Sequence, residues 1–148
     1  MSEPEQEAVL AAFSTHVLDG TDGTHAAGIA VSVTARMRQG GRRVVLTGST
    51  GPDGRFSGTF DLPVHPGGNG YETGRPNEPV EANVLDVSFE VGRYFARHQA
   101  ASGRRGGAHQ SDPTLVDLVF RVAVADPDGH FHLPIILSPH SCSAWCSG

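Results

Sequence analysis

The sequence predicts an all-β domain on three observations. Nineteen glycines and ten prolines divide 148 residues into short elements, charged residues make up only 18%, and apolar residues recur at every second position in several runs. Short loops between about eight strands point to a two-sheet β-sandwich with one short helix. At this length, with 38% apolar residues, the chain buries one modest core, which excludes a two-domain enzyme.

In chain order, residues 1–12 read as an N-terminal extension, where the polar run Glu3 to Glu7 gives way to Ala8, Val9, Leu10, Ala11 and Ala12 as a short helix, and residues 13–148 as the domain. The first strand is Phe13 to Leu18, with Ser14, His16 and Leu18 on the face opposite Phe13, Thr15 and Val17. Ile29, Val31 and Val33 alternate with Ala30, Ser32 and Thr34 in a second strand; Arg43 to Gly48 and Arg55 to Phe60 follow. Leu85, Val87, Phe89 and Val91 alternate with Asp86, Ser88 and Glu90, and Val116, Leu118, Phe120, Val122 and Val124 with Asp117, Val119 and Arg121. Phe131 to Leu137 and a terminal stretch around Cys142 to Trp145 complete the set.

Turn chemistry separates these strands at Asp19-Gly20-Thr21-Asp22-Gly23, Gln39-Gly40-Gly41, Gly51-Pro52-Asp53-Gly54 and Asp126-Pro127-Asp128-Gly129. The helix falls at Arg93 to Ala101, where Tyr94, Phe95, His98 and Ala101 share roughly one side. Leu62 to Asn83 and Ser102 to Pro113 read as irregular, the first as a lid or rim and the second as a mobile loop.

All eleven basic residues are arginines, outnumbered by sixteen acids for a net charge of −5, so there is no electrostatic footprint for nucleic acid. Arg36, Arg38, Arg42 and Arg43 read as a solvated rim. No apolar run approaches the ~18 residues of a membrane span, and the N-terminus is acidic, so a cytoplasmic protein without a membrane partner is expected. Cys142 and Cys146 stand about 13 Å apart if extended, too far for a disulfide, and read as free thiols.

The residues that suit chemistry are histidines on strand faces. In Phe131 to Leu137 the odd positions are apolar, so His130 and His132 point away from the core, with imidazoles about 6.6 Å apart. His16 also lies on an outer face. Two imidazoles beside a fixed cation supply a base that titrates near neutrality and a donor for developing carbonyl charge. His130, His132, His140, Cys142 and Cys146 raise the question of zinc, but their spacing matches no standard zinc pattern, and neither a metal nor a cofactor is expected.

Three segments occur in order: Ser14-Thr15-His16-Val17-Leu18-Asp19, the turn Asp53-Gly54-Arg55, and His130-Phe131-His132-Leu133-Pro134-Ile135-Ile136-Leu137-Ser138-Pro139. Together they resemble the transthyretin-like family, most closely its enzymatic branch, the 5-hydroxyisourate hydrolases. Phe89 to Phe95 is similar to that family's strand-to-helix junction, and the likeness spans about Phe13 to Gly148. The resemblance implies a transthyretin-like (prealbumin-like) sandwich, a homotetramer with active sites where dimers meet, and a small-molecule substrate. It implies that His16, Arg55 and His132 act together on a cyclic ureide, with His130, Trp145, Cys146 and Ser147 binding substrate.

The chain departs from the family at its end. Trp145-Cys146-Ser147-Gly148 stands where the hydrolases carry Tyr-Arg-Gly-Ser, and Leu62 to Asn83 is expanded. Two alternatives to ring-opening hydrolysis of 5-hydroxyisourate follow: a diverged enzyme that hydrolyses or closes another cyclic or reactive metabolite, and a non-catalytic carrier of a small ligand. The retained His16, Arg55 and His132 speak against the carrier, and the altered terminus speaks for a changed substrate.

Overall fold

The computed structural model describes residues 7–37, 41–64, 83–102, 113–124 and 130–147. Within the described residues, ten strands and one helix run in the order β1 (Glu7–Asp19), β2 (Thr24–His25), β3 (Ala30–Arg36), β4 (Arg42–Ser49), β5 (Arg55–Val64), β6 (Asn83–Phe89), α1 (Val91–Ser102), β7 (Leu118–Val124), β8 (His130–His132), β9 (Ile135–Leu137) and β10 (Cys142–Ala144). They form the expected two-sheet sandwich. One sheet has the order β4-β3-β6-β7; the other is built on β1, which pairs antiparallel with β5 and β2 and parallel with β8 and β9, with β10 beyond β9.

The period-2 pattern fixes which faces meet. Phe13 and Val17 of β1, Val31 and Val33 of β3, Leu85 and Val87 of β6, and Phe131 and Leu133 near β8 are all within 5% of full burial. At ~25 cal/mol per Å² this shared apolar interior is the main force that holds the sheets together. Ser14 and His16 consequently stay half-buried on the outer face of β1.

Several expectations need correction. The N-terminal run that reads as a helix is strand from Glu7, pairing with β5 as far as Val64; alternation that is too short to register in sequence is set by the partner strand. Leu62 therefore belongs to β5 and Asn83 to β6; residues 65–82, 103–112, 38–40 and 125–129, which contain most of the irregular segments and two of the predicted turns, lie outside the described residues. Phe131 to Leu137 is two strands. Pro134 has no N–H to give the ladder, and between β8 and β9 the chain is held instead by Leu133 N–H donating to the Ser14 carbonyl at 3.0 Å and the Thr15 hydroxyl donating to the Leu133 carbonyl at 2.6 Å.

The helix begins two residues early, so Val91 caps the core from α1, while Val116 precedes β7 and is 67% exposed. His98 is not on the buried side of α1: its side chain is 47% exposed, stacks on Tyr94 and lies 3.5 Å from an Asp22 oxygen. Arg36 is not a rim residue either. With Arg121 it clamps Asp86, at 3.1 and 2.9 Å, and although burial raises the Asp86 carboxyl, the two guanidiniums outweigh it and hold the group below its ordinary range.

Asp19 is fully buried at the end of β1. Its Oδ2 accepts from the Tyr94 hydroxyl at 2.8 Å, and its Oδ1 accepts from the Thr21 amide at 2.9 Å and from the Thr21 hydroxyl. Desolvation and the neighbouring carboxylate push the Tyr94 phenol well above its ordinary value, so it remains a donor throughout the working range. Tyr94→Phe is expected to cost about 2 kcal/mol by stranding a buried carboxylate oxygen, read as a lower urea midpoint with an unchanged slope. A midpoint equal to that of the parent would mean that another donor replaces the phenol.

Candidate active site

β1 carries the site because β5, β8, β9 and β2 all pair along it. His16 stands directly opposite Arg55 of β5, and Ser14 directly opposite Ser57 on one side and in register with His132 of β8 on the other. Opposed residues share a face, so Ser14, His16, Arg55 and His132 are gathered on the outer side of one sheet. The predicted His16, Arg55 and His132 are therefore brought together, by pairing alone.

Gly54 sets the register of Arg55. It sits at φ +73°, its carbonyl accepts from the Val17 amide at 2.8 Å, and a Cβ there would collide with the Val17 carbonyl oxygen and stand 3.3 Å from the Ala26 amide. Only glycine lets the turn press this closely on β1. Asp53 closes the turn, its Oδ1 accepting from the Arg55 amide at 3.0 Å.

Two imidazole pairs flank this centre. Ser14 Oγ lies 2.7 Å from both His130 Nε2 and His132 Nδ1, and the two rings stack with centroids 6.3 Å apart. A hydroxyl has one hydrogen and two lone pairs, so Ser14 can donate to at most one of the two rings, and at least one ring must present an N–H to it. The second pair is His16 and His25: Nε2 to Nδ1 is 3.1 Å, and the rings stack at 5.2 Å and 28°. Burial, the Arg55 charge and His25 together hold His16 below the ordinary histidine value, against a raising effect from Asp53, so His16 is available as a neutral base.

The C-terminal tail reaches the same edge. His132 N–H donates to the Ser147 carbonyl at 2.7 Å and Ser147 N–H returns a bond to His132 at 2.9 Å. Ser147 thus borders the site through His132. Trp145 is 56% exposed and Cys146 is exposed; among the described residues neither is hydrogen-bonded to the histidines or Arg55. Desolvation pushes the Cys146 thiol up, so at neutral pH it is a thiol rather than a nucleophilic thiolate.

Of the soft donors weighed for a metal, His130 and His132 stack on each other, whereas His140 Nδ1 lies 2.9 Å from the Pro113 carbonyl oxygen. Among the described residues, three donor atoms suited to a cation converge at Asp19, Asp22 and His98, where the Asp19 oxygens are already taken by Tyr94 and Thr21. Sequence reasoning missed two members of the site. Ser14 carried a signal, being two residues from His16 on the same face; His25 carried none, because a two-residue strand has no periodicity to read.

The sequence pattern of the HIUase/Transthyretin family matches residues 13–146. A Rhizobium meliloti protein named 5-hydroxyisourate hydrolase 2 is 32% identical over 134 residues, which is 90% of this chain and 92% of that one. A Pseudomonas aeruginosa 5-hydroxyisourate hydrolase is 29% identical over 98% of both chains. In fold, the chain resembles the Klebsiella pneumoniae 5-hydroxyisourate hydrolase (TM-score 0.58, 24% identity, 93% of this chain and 99% of that one). It also resembles the Sparus aurata transthyretin (TM-score 0.60, 20% identity, 91% and 95%).

Proposed function

The chain belongs to the HIUase/Transthyretin family, and on that premise we propose that it is a hydrolase that opens the ring of 5-hydroxyisourate by attack of water on a ring carbonyl. The observation that carries this reading is the register that sets His16 against Arg55 and Ser14 against His132 on one open face. A carrier has no need of a base kept neutral beside a guanidinium.

In the proposed reaction His16 takes a proton from water as its oxygen bonds to the carbonyl carbon. Arg55 meets the negative charge that develops on the carbonyl oxygen, an N–H proton of His132 passes to the ring nitrogen as the C–N bond breaks, and the proton that His16 gained returns to His132 through solvent. His130 holds His132 in place through Ser14, and Ser147, with Trp145 and Cys146 beyond it, forms the rim against which the substrate ring lies. The product is a carboxylate, so each turnover releases one proton.

The test follows freshly generated 5-hydroxyisourate by its ultraviolet decay with and without the protein. Acceleration that saturates with substrate supports the reading; decay at the uncatalysed rate with folded protein overturns it.

We further propose a homotetramer and a cytoplasmic setting, the latter in keeping with two free exposed thiols. Among the described residues β7 and β10 stand at the ends of their sheets, and Val119 on β7 is 61% exposed, an arrangement suited to edge-to-edge pairing between copies. Light scattering is expected to give about four times 15.6 kDa, and a monomer at micromolar concentration would remove the shared cleft.

A further inference from the structure

Resting on the hydrolase reading above, we infer that His25 is a positioning residue for that reaction: stacked on His16 and hydrogen-bonded at its Nε2, His25 fixes the orientation of the ring that serves as the base. The bond spans 3.1 Å from His16 Nε2 to His25 Nδ1. The His16 ring also hydrogen-bonds the backbone of Asp53, whose carbonyl can only accept, so the ring is held from two sides, by Asp53 and by His25.

The fold holds His25 where it can do this. Leu18 pairs with His25 across β1 and β2, which puts His25 on the outer face and diagonal to His16. The next residue, Ala26, is fixed from both sides: its amide donates to the Val17 carbonyl at 3.0 Å, and its carbonyl accepts from the buried Thr50 hydroxyl at 2.7 Å. The His25 ring itself is exposed, so no core contact accounts for its alignment with His16.

The groups that face His16 are Arg55 from β5, Asp53 from the turn before it and His25 from β2; along β1 itself, Ser14 and its partner His132 stand two positions away. Arg55 and His25 both disfavour a second positive charge, Asp53 favours it, and the His25 ring also shields His16 from water. Removal of His25 takes away a repulsion and a shield together. His16 then binds its proton more readily, and because the base acts only when unprotonated, the acid limb of kcat/KM moves to higher pH.

The test compares His25→Ala, His25→Phe and His25→Asn in the full chain. The backbone bonds that place residue 25 do not use its side chain, so all three are expected to keep the parent melting temperature. His25→Ala is expected to lower kcat about tenfold with KM within about twofold, and to raise the acid limb by about half a pH unit. His25→Phe keeps the stack without the nitrogen and should lose the same rate with a smaller pH shift. His25→Asn, whose amide reaches where Nδ1 stood, should recover kcat to within about threefold.

Histidine-ring NMR reads the His16 titration directly, without turnover. A His16 titration that does not move in His25→Ala and His25→Phe overturns the inference, as does a loss confined to KM. If the parent protein fails to accelerate decay of 5-hydroxyisourate, the hydrolase reading falls, whereas the NMR titration still decides whether His25 governs His16.

Discussion

His16→Ala, Arg55→Ala and His132→Ala are each expected to lower kcat/KM for 5-hydroxyisourate by at least ~100-fold, the scale of a lost acid–base group or charge stabiliser. None of the three is in the core: His16 and His132 are half-buried and Arg55 is exposed, so the variants should fold like the parent. Because the three serve one transition state, their effects should not add, and a His16→Ala, His132→Ala double variant should lose little more than the worse single one. Ser14→Ala gives a graded result of about tenfold, since it removes the hydroxyl between His130 and His132 but no reacting group. Each is measured by the ultraviolet decay assay beside a melting curve. Full activity in any of the three Ala variants would return that residue to an ordinary surface role.

Gly54→Ala is the substitution expected to cost most in stability, about 3 kcal/mol, read as a fall in melting temperature on the order of 10 °C. Two effects combine there, a positive φ and a collision with the Val17 carbonyl oxygen of β1. Gly23→Ala separates them, because Gly23 has the same φ of 73° but nothing within 4 Å of a Cβ. It should cost only about 1 kcal/mol. Gly54→Ala should also lower kcat/KM, since the strand that bears Arg55 must move away from His16 to make room. Equal costs at the two glycines would mean that the turn relaxes without disturbing β1.

Much of the fold was legible in the sequence because a two-residue period is a local property. Leu85 to Phe89 and Leu118 to Val124 announce their buried faces, and the odd-numbered apolar residues from Phe131 to Leu137 fix which way His130 and His132 point. The motifs around His16, Gly54 and His132 likewise pointed to three residues, His16, Arg55 and His132, that strand pairing then sets on one face. What the sequence could not determine depends on which strand lies beside which. Residues 7–12 became strand because β5 offered them a partner, and the ladder broke at Pro134 because Ser14 and Thr15 of β1 took over the bonds there. Ser14 became the link between two imidazoles, and His25 the partner of His16, through contacts across 116 to 118 residues and across a turn. Hydrogen bonds reach only about 3 Å, so such partnerships exist only once the sheet has closed; periodicity along one strand records which face a residue occupies, never the side chain that will meet it there.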